Sequence, residues 1–436
     1  MEVIHLESTK SAWGVLSLLY VITALFSCPS VFARESALSL SQLIDYSLQN
    51  SGELKALREE KGIKDAARIR AGILPNPTLE FEVKSGALTG SKNESSLGLG
   101  ISQEFVLGGK RDKRLALAER ELEVYRWQLT DRERLLRGEV KNAYFDLLLA
   151  TERLELADRS MALNRQLLDV TRARLAAGDI PELEMNLAKV ELGRSELTRI
   201  EALKGVQQSQ SRLLVLTGLT DSQAVISGKL DSSTKMQKTP TELKQIALSS
   251  RPDIKLLESE KRRGEADMLL ADAEGVPNLT AGLLFSRDAT SMEIGGVEGK
   301  DTAYTVGVRL SMPIPVFDRN QASIQEASAR KSSSEIRLRS AVRSIEQETE
   351  GAYRSYQSAT SVLSLYGSDI IPQLEENLKL TQEAYRLGEV GILSLFQEQK
   401  KFIEVSEGYL TALHDRQAAL VRLESVTASE LTGGIK

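Results

Sequence analysis

Enzymes and metal carriers need nucleophiles, acid–base groups or ligands that converge, and this chain offers few. It has two histidines, His5 and His414, and one cysteine, Cys28. His414 stands alone in a helical stretch, the ordinary setting of a surface or packed histidine. No set of cysteines, histidines and carboxylates has metal-ligand spacing. Gly108-Gly109 lacks the spacing of a phosphate-binding loop. Neither catalysis nor a cofactor nor a resident metal is therefore expected. Two other constellations stand out. The first is a pair of similar strings: Arg174, Gly178, Asp179 and Ile180, then Arg386, Gly388, Glu389 and Val390. In each, glycine permits the left-handed turn that ends a helix. Exposed Ile180, Val390, Ile392 and Leu393 would make both tips apolar contact points. The second is acidic: Glu375, Glu376 and Glu383. Such a group is ordinarily a solvated face, but copies around one lumen would sum their fields into a cation-attracting constriction.

The elements that position these residues follow from composition and periodicity. With 436 residues, 41% of them hydrophobic, the chain can bury a substantial core. Aromatics are only 5%, which favours helix packing, and a net charge of −5 gives no electrostatic case for nucleic acid binding. Residues 1–33 read as an export signal. Lys10 precedes an apolar run from Ala12 to Phe26, Val31-Phe32-Ala33 forms a cleavage site, and Arg34 starts the mature chain. An uncleaved membrane anchor is one alternative. A lipoprotein cut before Cys28 is another, although Phe26 and Pro29 sit badly around that cysteine. Cleavage after Ala33 would leave a mature chain without cysteine. No later stretch has 18 consecutive apolar residues, so a membrane-spanning part would have to be a β-barrel.

Residues 34–220 form a first unit. Ser39 or Ser41 caps a helix through about Ala71, ended by Pro75 and Pro77. A hairpin over about 78–106 follows. Leu79, Phe81 and Val83 alternate with charged residues, and Leu97, Leu99 and Ile101 alternate with Gly98, Gly100 and Ser102. That pattern suits a soluble amphipathic hairpin or a transmembrane one with a lipid face and a wet lumen. A long helix then spans about 109–177. Its seam runs Leu115, Ala118, Leu122, Tyr125 and Leu129, shifts register past Arg132 to Leu136, and resumes through Val140, Ala143, Leu147, Ala150, Leu154, Ala157 and Met161. At 1.5 Å per residue this helix is about 100 Å long. After the turn at Gly178 to Pro181, a return helix covers about 182–217, and a polar connector fills 221–240.

The plan then repeats at an offset of about 200–210 residues, the mark of an internal duplication. The second unit, 241–436, has an opening helix from Leu243 to Glu274 and a hairpin over about 278–316 with a loop from Asp288 to Lys300. A long helix over about 319–387 and a last helix over about 392–428 complete it. Together the units predict a mainly α fold with a membrane β-barrel. Four strands of one chain cannot close a barrel, so membrane insertion demands an oligomer.

The order and spacing of Pro75-Asn76-Pro77, Pro277-Asn278, Gly108-Gly109-Lys110-Arg111, Phe317-Asp318-Arg319-Asn320 and the two glycine tips resemble the TolC-like outer membrane efflux proteins. The nearest flavour is the outer membrane subunits of cobalt–zinc–cadmium-type resistance systems. The resemblance covers Leu38 to about Ala428. It implies a homotrimer with a shared 12-stranded barrel in outer membrane lipid and an α-helical tunnel through the periplasm. It also implies docking of a periplasmic adaptor (membrane fusion protein) at the tips and an RND-type inner membrane transporter as the energy source. The channel would be passive, without cofactor, and would export small toxic substrates, metal cations foremost. A type I secretion channel and the periplasmic adaptor itself are the competing readings.

Overall fold

The computed structural model describes residues 38–219, 228–230 and 236–431. The expected export signal, Cys28 and much of the 221–240 connector lie outside these residues. The first half comprises α1 (Leu40–Asn50), α2 (Gly52–Gly72), β1 (Thr78–Ser85), β2 (Ser95–Phe105), α3 (Lys110–Ala177) and α4 (Glu182–Thr217). The second comprises α5 (Pro240–Ser250), α6 (Pro252–Glu274), β3 (Leu279–Ile294), β4 (Val297–Ser311), α7 (Gln321–Leu365), α8 (Ile371–Leu387) and α9 (Ile392–Thr427).

Three expectations need correction. Each opening helix is two helices. Ser51 and Arg251 are extended, with ψ of 122° and 123°. At the second break the proline ring of Pro252 disfavours helical backbone at Arg251. At the first, the Ser51 side chain accepts from the Leu54 backbone N–H and so starts α2 afresh. The second long helix is also not continuous. A π-turn, Tyr366–Ile370, separates α7 from α8. Pro372 has no N–H to give the carbonyl four residues back, and the widened turn accommodates its ring. Finally, no loop spans Asp288 to Lys300. The strands continue to Ile294 and resume at Val297, joined by Gly295 and Gly296 with φ of 63° and 84°. Two positive φ values make the tight turn that matches strand twist, and only glycine adopts them freely.

The 68 residues of α3 carry the fold. Seam residues Ala118, Leu122, Tyr125, Leu136, Val140, Ala143, Leu147, Ala150 and Ala157 are buried. The register shift falls where Arg132 turns outward to Glu53 at 2.6 Å and Glu139 at 2.8 Å. Midway along α3, Leu43, Ile44 and Leu54 of α1 and α2 pack on Leu136, Val140 and Leu147, with Leu213 of α4. The second half repeats this arrangement with Leu243 of α5 against Ala352, Tyr356, Leu420 and Leu423 of α7 and α9. Capping boxes, Ser39 with Gln42 and Thr239 with Glu242, start α1 and α5.

At one end of the helices stands a single antiparallel sheet, ordered β1-β2-β3-β4. Pairing of β2 with β3 joins the two hairpins, from Ser95 opposite Ala289 to Phe105 opposite Leu279. The long helices begin beside it at Gly109 and Asn320, both left-handed.

Candidate functional site

The register sorts the sheet residues into two faces. Leu79, Ile101, Leu283 and Val308 form one row, and Phe81, Leu99, Phe285 and Val306 the next, all on one side. These side chains are exposed in the single chain, Val306 by 80%. The other side carries Glu80, Gly98, Gly100, Thr280, Gly282, Gly307 and Arg309, with Leu284 among them. Gly100 and Gly282 leave a trough over which the Arg309 guanidinium of β4 reaches the Glu80 carboxylate of β1 at 3.3 Å. A Cβ on Gly100 would come within 3.0 Å of Leu284, and one on Gly282 within 3.1 Å of Ser102.

At the far end of the helices lie the two tips. Gly178 and Gly388 are left-handed, with φ of 81° and 82°, as their positions after long helices predict. Their turns are matched: Asp179 donates to the Arg174 carbonyl at 2.9 Å, and Glu389 to the Ala384 carbonyl at 2.9 Å. Arg174, singled out from sequence as an outward contact, faces its sister tip. Its guanidinium donates to the Tyr385 carbonyl at 3.0 Å and lies 5.0 Å from the centre of the Tyr385 ring. Tyr385 is only 2% exposed. Its hydroxyl sits 3.4 Å from Glu184 Oε2 and 3.5 Å from Thr171 Oγ1. These groups clamp the two tips together.

The apolar tip patches take a different form from the expected one. Ile180 and Ile392 are buried, the latter at 2% exposure in a cluster with Leu167, Leu378, Tyr385 and Leu395. A β-branched residue just past a helix turn is drawn under the hairpin to close its end. Val390 is half-buried, and the exposed apolar residues are Leu183, Leu387 and Leu393. Asp179, Arg386 and Glu389 are exposed. Of the acidic cluster, Glu383 pairs with Arg386 at 3.1 Å. Glu375 and Glu376 are exposed and form no ion pair among the described residues.

Two groups escaped sequence reasoning. Tyr385, Thr171 and Glu184 gain meaning only when the tips meet. His414 is not isolated: its Nε2 lies 2.9 Å from Asp146 Oδ1, and Arg212 reaches Asp146 Oδ2 at 3.1 Å. The cluster ties α9, α3 and α4. The Asp146 hydrogen bond holds the His414 pKa above its usual value against the opposing effect of burial. Between α3, α4 and α9 runs an open groove of about 1220 Å³. In it Asn164 Oδ1 and Gln399 Nε2 are buried without a hydrogen-bond partner.

Among the described residues no three His, Cys, Asp or Glu side chains are placed to hold a metal ion. No described helix is long and apolar enough to cross a membrane.

The family model described as "Outer membrane efflux protein" matches residues 43–219 and again 243–429. The cobalt-zinc-cadmium resistance protein CzcC of Cupriavidus metallidurans is 24% identical over 399 residues, 91% of this chain and 92% of that one. The nickel-cobalt-cadmium resistance protein NccC of Alcaligenes xylosoxydans xylosoxydans is 29% identical over 280 residues, 63% of this chain and 60% of the other. Among solved structures, that of CusC superposes with a TM-score of 0.74 at 19% identity, covering 89% of this chain and 92% of CusC. These matches exclude the reading as a periplasmic adaptor. The chain belongs to the outer membrane efflux protein family, as an outer membrane channel component and not an enzyme.

Proposed function

We propose that three copies of this chain, each an internally duplicated unit, form the outer conduit of a tripartite efflux system that exports metal cations. The two-faced sheet carries this reading. An open four-stranded sheet in lipid would leave the edges of β1 and β4 unpaired, at several kcal/mol per backbone group. Three copies supply twelve strands and close the barrel. The apolar rows then face lipid, and the glycine-rich face with Glu80 and Arg309 lines water. Further support comes from the groove. Buried Asn164 and Gln399 lack partners there, which suits a surface completed by a neighbouring copy.

In this assembly the tips lie about 100 Å from the sheet along α3, at the periplasmic mouth. Asp179, Leu183, Arg386, Leu387, Glu389 and Leu393 are among their exposed residues, and we assign them to the periplasmic adaptor. Energy comes from an inner membrane transporter of the RND type. Glu375 and Glu376 stand more than three turns before Gly388 of the second tip and attract cations to the mouth. Metal cargo rests on the resemblance to the cobalt-zinc-cadmium and nickel-cobalt-cadmium resistance proteins. The test is deletion of the gene, with growth scored against cobalt, zinc, cadmium, nickel and, separately, an organic toxicant. Sensitivity to the metals that the intact gene reverses supports the reading. Sensitivity only to organic compounds, or loss of a secreted protein, assigns another cargo.

A further inference from the structure

The connection from β4 to α7 contains a run of exposed apolar residues that neither the barrel nor the tunnel uses. Phe317 is 91% exposed, Ile314 79%, Val316 59% and Met312 52%. The equivalent connection from β2 to α3 is only the four residues 106–109, of which Leu107 is 38% exposed. The longer connection is therefore an addition peculiar to the second half. Large apolar side chains left in water forfeit the gain of burial, and a run this dense asks for a cover.

Part of the backbone of this run is bonded from within. Pro313 and Pro315 have no N–H to donate. Val316 donates to the Ile314 carbonyl at 2.8 Å. Arg319 Nε donates to the Pro315 carbonyl at 3.3 Å, and Gln321 Nε2 to the Phe317 carbonyl at 3.1 Å. The Arg319 N–H goes to Gln321 Oε1 and that of Asn320 to Asp318 Oδ1. The headgroup boundary, unlike the hydrocarbon core, still offers water to the remaining polar groups of an irregular segment. Exposed apolar side chains beside a partly bonded backbone match that boundary.

Position selects the same cover. Tyr304, Val306, Val308 and Leu310 alternate outward along β4, and Met312 and Ile314 extend that parity past the strand end. The run thus continues the apolar face of the sheet toward the helices. Asp318 and Arg319 follow it, so a polar edge comes after the apolar segment, as at an interfacial anchor. We propose that residues 312–317 form a lipid foot, inserted at the boundary of acyl chains and headgroups in the periplasmic leaflet of the outer membrane. The proposal rests on the sheet being the membrane-spanning part.

The test uses the full chain reconstituted in phosphatidylethanolamine–phosphatidylglycerol vesicles. Four variants, Phe317→Cys, Ile314→Cys, Val306→Cys and Gly307→Cys, are each labelled with an environment-sensitive fluorophore. The unsubstituted chain sets the background from Cys28. Nitroxides are placed on the headgroup, or shallow or deep on the acyl chain. The labels at 314 and 317 should emit to the blue of the label at 307 and lose most of their intensity to the shallow acyl nitroxide. The label at 306 should respond more to the deep one, and the label at 307 to neither. Two foot positions keep the result decidable if one variant folds poorly. Quenching at 306 with water-like emission at 314 and 317 overturns the foot and leaves the barrel standing. Blue-shifted but unquenched labels at 314 and 317 mean cover by another copy of the chain, which also overturns it. No quenching at 306 removes the barrel reading and the foot with it.

Discussion

At the scale of single residues, the tip clamp and the half-buried histidine make separate predictions. Arg174 spends its guanidinium on the Tyr385 carbonyl and ring. Arg174→Met keeps the aliphatic stem and removes the charged donor, a loss of about 1.5–3 kcal/mol for a hydrogen bond of this kind. The expected result is faster amide exchange at both tips with unchanged exchange around Leu136 and Val140. Equal protection in variant and parent would show that the clamp holds nothing. His414 has a raised pKa because Asp146 stabilises its charged form. The folded state therefore binds the proton more tightly than the unfolded one, whose value is near 6.5. The stabilisation is complete below the unfolded value and is lost as pH rises through the folded value. His414→Gln should remove that part of the stability. The difference in melting temperature between parent and variant should be largest in mild acid and shrink upward from about pH 6.5. A constant difference across the range would exclude the linkage.

At the scale of elements, strand alternation and helix ends decide what substitutions cost. Val306 and Gly307 are sequence neighbours on opposite faces of β4. Val306→Arg would set a charge on the lipid face at about 2–4 kcal/mol. Gly307→Arg meets open space on the other side, where nothing lies within 4 Å of a Cβ. Membrane assembly should fall for the first and survive for the second; the reverse order would invert the faces. Gly178 and Gly388 end their helices with positive φ. The double change to valine costs about 1 kcal/mol or more at each turn, and a Cβ at 388 would sit 3.3 Å from Arg174 Nη2. The sheet lies far from these turns, so outer membrane assembly should persist while adaptor capture and resistance fall together. Full resistance in an assembled double mutant would reduce the tips to ordinary turns.

At the scale of the whole molecule, the open sheet and the groove require company. Outer membrane fractions should yield an oligomer that converts to a single chain on heating, as closed barrels do. A soluble monomer in those fractions would contradict the shared barrel. Described residues offer no convergent metal ligands, and a conduit that held its cargo tightly would block itself. Calorimetric titration with zinc or copper should show no site tighter than micromolar. A stoichiometric nanomolar site would replace the passive channel with a metal-binding one.

Much of this architecture was legible in the residues themselves. The a/d seam from Leu115 to Met161, the alternation in each strand and the glycine ends of the long helices depend on local period and backbone freedom, which sequence records directly. Pairings between distant segments were not legible. Arg174 with Tyr385 and His414 with Asp146 join positions more than 200 residues apart. Side-chain type alone does not say which partner folding brings near. Burial of Ile180 and Ile392 was hidden for the same reason, since a helix end shows its apolar residue but not the hairpin that covers it. The helix breaks at Ser51 and Arg251 and the run of β3 past Asp288 lay between these limits. Their local signals, Pro252 and Gly295-Gly296, stand in the sequence, but packing against α3 and pairing with β4 decided how far each element runs.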